Sequence, residues 1–331
     1  MRTGQPDLQQ PSTEVRTMAT ATKKRKTYDG PKPEEKLVAE LIELMQGTAL
    51  SPWQREWCCI GSHQNPTTGN EYHGGNVALL DMYMAARVYD LPLWLGYGQA
   101  KKAGLQMVKG SKGCYIMRPF LVQVEDEKKK DAQGKPLVKA FTKYKLECVF
   151  NIACFADSEK KQAMVDKYKP HTESGIVKEH SKYWRKTEQA VKAYHKAQGL
   201  ETGFHGERAF YSSSNDAITM PKRETFKTTE GFYATWLHEC VHSSGHSKRL
   251  NRKLGNGFGT PEYAKEELIA ELGAYLCCRR LDIGSKVENH ASYLKSWISC
   301  LKQDPTILFK SLSAATKAAN LILGPEIKES K

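Results

Sequence analysis

Residues 235–246 read Thr235-Trp236-Leu237-His238-Glu239-Cys240-Val241-His242-Ser243-Ser244-Gly245-His246. The core of the stretch is His-Glu-x-x-His, and on a helix that spacing has a specific chemical use. Residues four apart share a helical face, so His238 and His242 can aim imidazole nitrogens at one metal ion. Glu239 projects about 100° further round, beside the ion, where its carboxylate can take a proton from water. Zinc held by two His and one carboxylate keeps a position open for that water. The bland alternative is two helical histidines hydrogen-bonded within a core.

The flanks predict a helix. Gly231 to Leu237 lead in with apolar and aromatic residues, and Gly245 offers a C-terminal stop with Lys248 and Arg249 just beyond. A second helix is expected at 262–280, with Leu268, Leu272, Tyr275 and Leu276 on its buried side. Glu267 and Glu271 are four apart and can both face the first helix. We assign Glu267 as third ligand and Glu271 as its neighbour, hydrogen-bonded to a ligand histidine; the reverse assignment stays open. Glu266 is expected to point elsewhere. A third histidine ten residues after the first is excluded, because that position is Lys248.

The chain of 331 residues (37.3 kDa) carries a formal net charge of +13. Between Lys101 and Lys145, twelve Lys or Arg face four Asp or Glu, so the positive surplus concentrates away from the zinc motif. That balance favours a nucleic-acid partner. No apolar run is long enough to span a membrane, and the first residues lack a signal-peptide core. Nine cysteines, including the pairs Cys58-Cys59 and Cys277-Cys278, show no Cys-x-x-Cys spacing and fit a reduced, cytoplasmic protein.

The expected fold class is α+β: a mixed helix and antiparallel-β domain, then a mainly helical one. Residues 1–33 are read as a disordered basic arm, 34–155 as the first domain and 156–331 as the second. A helix is expected from Glu34, a Gly- and Asn-rich loop at 65–76, and a helix to Val88 capped by Asn76. A short helix at 98–104 precedes a strand at 114–122. A charged insertion at 125–136 separates that strand from its antiparallel partner at 141–151. Pro119 argues that the first strand lies at an edge. Helices are expected at 159–168, 176–198, 289–302 and 304–323, with two short strands within 209–221.

Single-stranded nucleic acid is held by phosphate contacts and by bases stacked on aromatic rings. The segment 53–118 interleaves Trp53, Trp57, Tyr72, Trp94, Tyr97 and Tyr115 with Lys101, Lys102, Lys109, Lys112 and Arg118. Most tryptophans fill cores, so at least two of those three are expected to be structural.

Both halves resemble one family in the same order, the ArdC-type antirestriction proteins, which also match the N-terminal part of TraC-type plasmid primases. In the first half the resemblance rests on Pro52-Trp53, Thr68 to Asn76, Trp94 with Gln99-Ala100, Val108 to Gly113 and Val149-Phe150-Asn151. In the second half it rests on Asp216 to Pro221, His238 to His242, Gly245-His246, Arg249-Leu250, Tyr263 to Glu271, and His290, Tyr293 and Trp297. It implies an N-terminal domain binding single-stranded DNA and a C-terminal zincin-like metallopeptidase domain. It also implies plasmid carriage and protection of incoming DNA from host restriction during conjugation, in the cytoplasm of donor or recipient. Candidate DNA contacts are then Trp53, Tyr72, Asn76, Trp94, Gln99, Lys101, Lys109, Lys112 and Arg118.

The expected chemistry places Zn2+, or another divalent transition metal, on His238, His242 and Glu267, with Glu239 as general base. A further donor for the transition state is sought among His290, Tyr293 and Tyr211. A host or restriction-system protein would be the peptidase substrate. The rival from another class is a DNA-shielding protein whose metal is structural; a metal-dependent nuclease fits the ligand set poorly.

Overall fold

The computed structural model describes residues 32–48, 62–130, 136–168, 180–226, 228–255, 257, 260–283 and 291–326. The arm up to residue 31, the Trp53 to Cys59 segment and His290 lie outside the described residues. From Lys32 onward the chain falls into one compact unit.

The first half runs α1 (Pro33–Thr48), α2 (Gly75–Arg87), β1 (Trp94–Leu95), α3 (Tyr97–Lys102), β2 (Cys114–Lys130), β3 (Pro136–Asn151) and α4 (Glu159–Lys167). Leu37, Leu41 and Met45 recur on one face of α1 and are buried. The strands form one antiparallel sheet of order β1-β3-β2, so β2 and its Pro119 do lie at an edge. The ladder runs from Cys114↔Val149 to Asp126↔Leu137, well into the segment read as a charged insertion. Backbone pairing thus continues where the apolar pattern of the sequence stops.

The second half runs α5 (His180–Gln198), β4 (Glu201–Phe204), β5 (Phe210–Ser212), β6 (Ala217–Met220), α6 (Thr229–Ser244), α7 (Pro261–Arg280), α8 (Ala291–Gln303) and α9 (Thr306–Leu323). The small sheet has order β4-β6-β5, with β4 parallel and β5 antiparallel to β6. Strand β4 was not legible in the sequence, because four residues with Gly203 among them carry no alternation.

Asn76 does not cap α2. The cap is Gly74, at φ 58°, and Asn76 instead bonds both the N–H and the carbonyl of Met117 at 2.7 and 2.9 Å, stitching α2 to β2. Gly245 ends α6, yet with φ −77° it is right-handed. Its smallness serves a close approach: a Cβ there would stand 2.9 Å from Arg252 Nη2 and from Leu254 Cδ2.

One apolar cluster threads α1 and α2 through to α6, α7 and α9; a smaller one gathers Leu93, Leu95, Ile152 and Phe155. A buried polar hub crosses the larger cluster. Asp81 of α2 lies 2.9 Å from His63 Nε2 and 3.3 Å from Arg279 Nε, and accepts the Tyr275 hydroxyl. Trp94 Nε1 donates to the other nitrogen of His63 at 2.9 Å.

Helices α6 and α7 approach closely at Gly273, where a Cβ would stand 2.8 Å from both Val241 methyls. Alanine there improves helix propensity by about 1 kcal/mol, but overpacking costs about 1–3 kcal/mol, and Val241 is stiff at χ1. Gly273→Ala should therefore lower the urea midpoint and weaken divalent-metal binding measured by calorimetry. Adding Val241→Ala should restore both; metal binding unchanged in the single variant would refute the close-contact argument.

Buried His195 joins α5, β4 and α6, with Nε2 3.4 Å from Cys240 Sγ and Nδ1 3.2 Å from Thr202 Oγ1. Burial pushes its pKa down to about 4. The unfolded chain binds that proton near pH 6.5, so stability is lost as pH falls from about 6.5 to 4, by about 3 kcal/mol. Urea titrations should show wild type losing its advantage over His195→Asn across that window; a gap independent of pH would remove the assignment.

Candidate metal centre

Helix α6 starts at Thr228, whose hydroxyl accepts the Gly231 N–H at 3.0 Å. Most of α6 from Phe232 to Ser244 is buried, because sheet, α5, α7 and α9 cover it on nearly all sides. Helix α7 starts at Thr260, which accepts the Tyr263 N–H at 3.2 Å, with Pro261 in its first turn. Trp297 of α8 donates to the Ala264 carbonyl at 3.1 Å and fixes that end of α7.

The crossing brings His238, Glu239 and His242 of α6 together with Glu266, Glu267 and Glu271 of α7. His238 and His242 present their Nε2 atoms 3.1 Å apart, with the rings steeply inclined at 78°. Glu267 closes the triangle, one oxygen 3.7 Å from His238 Nε2 and the other 3.5 Å from His242 Nε2. Among the described residues these three form a cluster able to hold a metal, with one donor atom from each inside 4.8 Å of the others. A tetrahedral ion about 2.0–2.1 Å from each donor separates the donors by about 3.3 Å, so the set fits a small divalent cation.

The ring orientation has a cause on α7. His238 Nδ1 lies 3.1 Å from Glu271 Oε1, and His242 Nδ1 lies 3.3 Å from Glu266 Oε1. The His242–Glu266 contact is a hydrogen bond, whereas the His238–Glu271 contact is an ion-pair approach off hydrogen-bond alignment; a proton on each Nδ1 would leave both Nε2 lone pairs facing Glu267. Glu266 was expected to point away, and the structure corrects this. It is buried, and Arg252 grips it with Nε at 2.9 Å and Nη2 at 2.7 Å. The missed signal was Arg252 itself, ten residues after His242 and too far along the chain to suggest a partner. Arg252 also donates to Ser244 Oγ at 2.9 Å and the Val241 carbonyl at 2.7 Å, which ties the loop back onto α6.

Burial disfavours a charged His238, but its bonds to Glu267 and Glu271 outweigh that and hold its pKa well above the usual value. Burial likewise pushes Glu267 up, and His238 and His242 bring it below the ordinary carboxylate range. Glu239 moves the other way. Burial raises its pKa, although His238, His242 and a hydrogen bond from the Tyr211 backbone pull against it. A carboxylate with raised basicity beside two imidazoles suits proton transfer near neutral pH.

Tyr211 comes to this centre by its backbone. Its hydroxyl donates to Asp216 at 2.7 Å and accepts from Arg249 Nη2 at 3.1 Å, while burial and Asp216 push its pKa up. The phenol is therefore tied into the β5–β6 turn. Tyr293 lies on α8, but its side chain is outside the described part of the chain, as is all of His290.

The residues singled out for DNA separate into two groups. Lys101, Lys109, Lys112 and Arg118 are exposed. Gly110, at φ 88°, gives the turn between the two middle lysines its left-handed corner, and Arg87 anchors it by donating to the Lys112 carbonyl at 2.8 Å. Arg118 pairs with Glu147 at 2.7 Å. Trp94, by contrast, is 0% exposed and has no ring face to offer a base. Gln99 spends its oxygen on Asn65 Nδ2 and the Gly96 N–H, both at 2.9 Å, and Tyr72 donates to the Trp94 carbonyl at 3.2 Å. Trp53 is outside the described residues. The exposed ring in this region is Tyr97, 57% exposed and four residues before Lys101 on α3.

Comparison with known proteins finds relatives of both halves of the chain. Residues 31–150 match the family described as the N-terminal domain of anti-restriction factor ArdC, and residues 189–316 match a zincin-like metallopeptidase family. The chain is 33% and 35% identical to two Escherichia coli proteins named DNA primase TraC, over 90% of its own length in each case. It spans only 20% and 28% of the lengths of those primases. A Sinorhizobium fredii protein, y4eC, is 27% identical over 86% of this chain and 90% of its own. Crystal structures of the antirestriction protein ArdC from plasmid R388, metal-free and Mn(II)-bound, superpose with TM-scores of 0.58 and 0.59 at 28% and 29% identity. Each comparison covers 87% of this chain and 96% of the other. The chain thus carries, in order, a region matching the ArdC N-terminal domain and a region matching a zincin-like metallopeptidase domain, and its fold is similar to that of the R388 antirestriction protein ArdC.

Proposed function

We propose that this protein is an antirestriction factor that binds single-stranded DNA and carries a metal-dependent peptidase centre on His238, His242 and Glu267. The observation that carries the reading is the convergence of three donors from two helices, with a carboxylate of raised pKa beside them. Zinc suits two imidazoles and one carboxylate; manganese, which the R388 relative holds in one structure, is the competing ion. A divalent ion there supplies Lewis acidity to water and to a scissile carbonyl. Glu239 takes the proton of the attacking water and passes it to the leaving amine. Glu271 and Glu266 hold the two rings in the tautomer that faces Glu267. Strand β5, at the sheet edge beside Glu239, offers a line along which an extended peptide can lie.

DNA is held by Lys101, Lys109, Lys112 and Arg118, with Tyr97 as a stacking ring. The peptidase substrate is a host or restriction-system protein. Among the described residues no helix is long and apolar enough to cross a membrane. The depth of the centre favours a second reading: His238, Glu239 and Glu267 are each 6–7% exposed, as in a site whose metal is structural. In that reading the DNA surface alone shields incoming strands.

Glu239→Gln separates the two. Metal content by mass spectrometry should match wild type, while metal-dependent proteolysis falls at least about 100-fold. Restriction protection retained by this variant in a conjugation assay would favour the shielding reading.

Glu266→Gln removes the charge facing His242 and Arg252. Metal affinity should drop about 10- to 100-fold by calorimetry. No change would mean that Glu266 serves Arg252 alone.

Replacing Lys109 and Lys112 by Ala should reduce the salt dependence of single-strand binding by about 0.7 per lost phosphate contact. An unaltered slope would place the strand elsewhere.

A further inference from the structure

Between the ribbon and α9 lies a cavity of about 590 Å³ that includes none of the three metal donors or the basic turn, and that shares Arg252 with the surroundings of the centre. Met117, Tyr144 and Leu146 of the ribbon line it, facing Phe309 of α9, with Leu250 from the segment after α6. That volume falls within the roughly 300–1,000 Å³ of small-ligand sites, and an apolar lining with a few polar groups is their usual make-up.

Its charged residues are Arg252, Lys310 and Lys317 against Glu34. Arg252 is committed to Glu266, Ser244 and Val241. The exposed lysines are different. Among the described residues Lys310 pairs with the half-exposed Asp304 at 3.3 Å, an ion pair that water screens. Lys317 is seven residues further on, about two helical turns along the same face. The cavity thus joins two aromatic rings to two cations on one helix.

We propose that this cavity is a nucleotide subsite. One base packs against Tyr144 and Phe309, its phosphates meet Lys310 and Lys317, and Glu34 accepts from an exocyclic amino group. The inference rests on the single-strand reading above and adds a position for one unit of the strand. Ribbon register supports a strand over an isolated anion. Met117↔Leu146 and Pro119↔Tyr144 alternate with Arg118↔Lys145, so that cationic pair, which shares Glu147 at 2.7 and 3.2 Å, occupies the opposite face of the same ribbon. A strand leaving the cavity round the β2 edge reaches those charges. An acidic peptide would satisfy the lysines and leave the two rings without a flat partner.

The test uses the full-length protein and a 5-iodouracil-substituted oligonucleotide, with dAMP as a separate probe. Tyr144→Ser and Lys317→Glu should each weaken oligonucleotide binding about five-fold or more by fluorescence anisotropy. Lys302→Glu, an exposed charge change on α8 away from the cavity, should cost less than either. Photo-crosslinks should map to Tyr144 or Phe309. If the oligonucleotide binds, Lys317→Glu costs no more than Lys302→Glu and crosslinks map elsewhere, the subsite is overturned while DNA binding stands. If the oligonucleotide fails to bind wild type but dAMP binds and Tyr144→Ser abolishes it, the subsite takes free nucleotide and the single-strand reading falls. Binding of neither probe overturns both.

Discussion

Everything at the candidate metal centre depends on how closely α6 and α7 approach. Gly273 lets the Val241 methyls sit where a side chain would otherwise be, and this contact brings Glu266, Glu267 and Glu271 onto the rings of His238 and His242. Burying so many ionisable groups is costly unless each is paired. Here each carboxylate of α7 has its own task. Glu267 faces both Nε2 atoms, Glu271 faces one Nδ1, and Glu266 shares itself between the other Nδ1 and Arg252. Remove the close contact and those distances lengthen together, leaving desolvated charge without compensation.

The same helix ties the centre to the first half of the chain. Glu267, Glu271, Tyr275 and Arg279 are four apart in succession, a polar stripe along one face of α7. Its upper end serves the histidines, and its lower end holds Asp81 of α2. Asp81 in turn holds His63, and His63 accepts from Trp94. The rotation of α7 about its own axis is therefore constrained from both ends. A helix free to rotate could satisfy Asp81 or the histidines, but not both.

Much of this could be read along the chain. The His-Glu-x-x-His spacing and the Glu267–Glu271 pair are local facts, because a helix repeats every 3.6 residues and needs no knowledge of its neighbours. Helix limits followed the apolar period to within a few residues at α1, α2, α7 and α9. Strand β4 and the outer ribbon escaped, since backbone pairing there is not accompanied by an apolar alternation in the sequence. Trp94 illustrates the limit on the DNA side: a tryptophan among lysines can stack on a base or fill a core, and composition does not distinguish the two. The indole is taken by His63, thirty-one residues earlier in the chain.

The sequence by itself carried the resemblance to the ArdC-type proteins, the α+β class, the pair of helices and the candidate metal-binding residues, because those are written in short-range spacing. Only the tertiary structure decided that Glu266 belongs with His242, that Asn76 stitches a strand instead of capping a helix, and that the Tyr211 backbone lies at Glu239. Each of those contacts joins residues that are distant in sequence. Their meeting depends on how closely packed elements cross, a quantity set by the whole core.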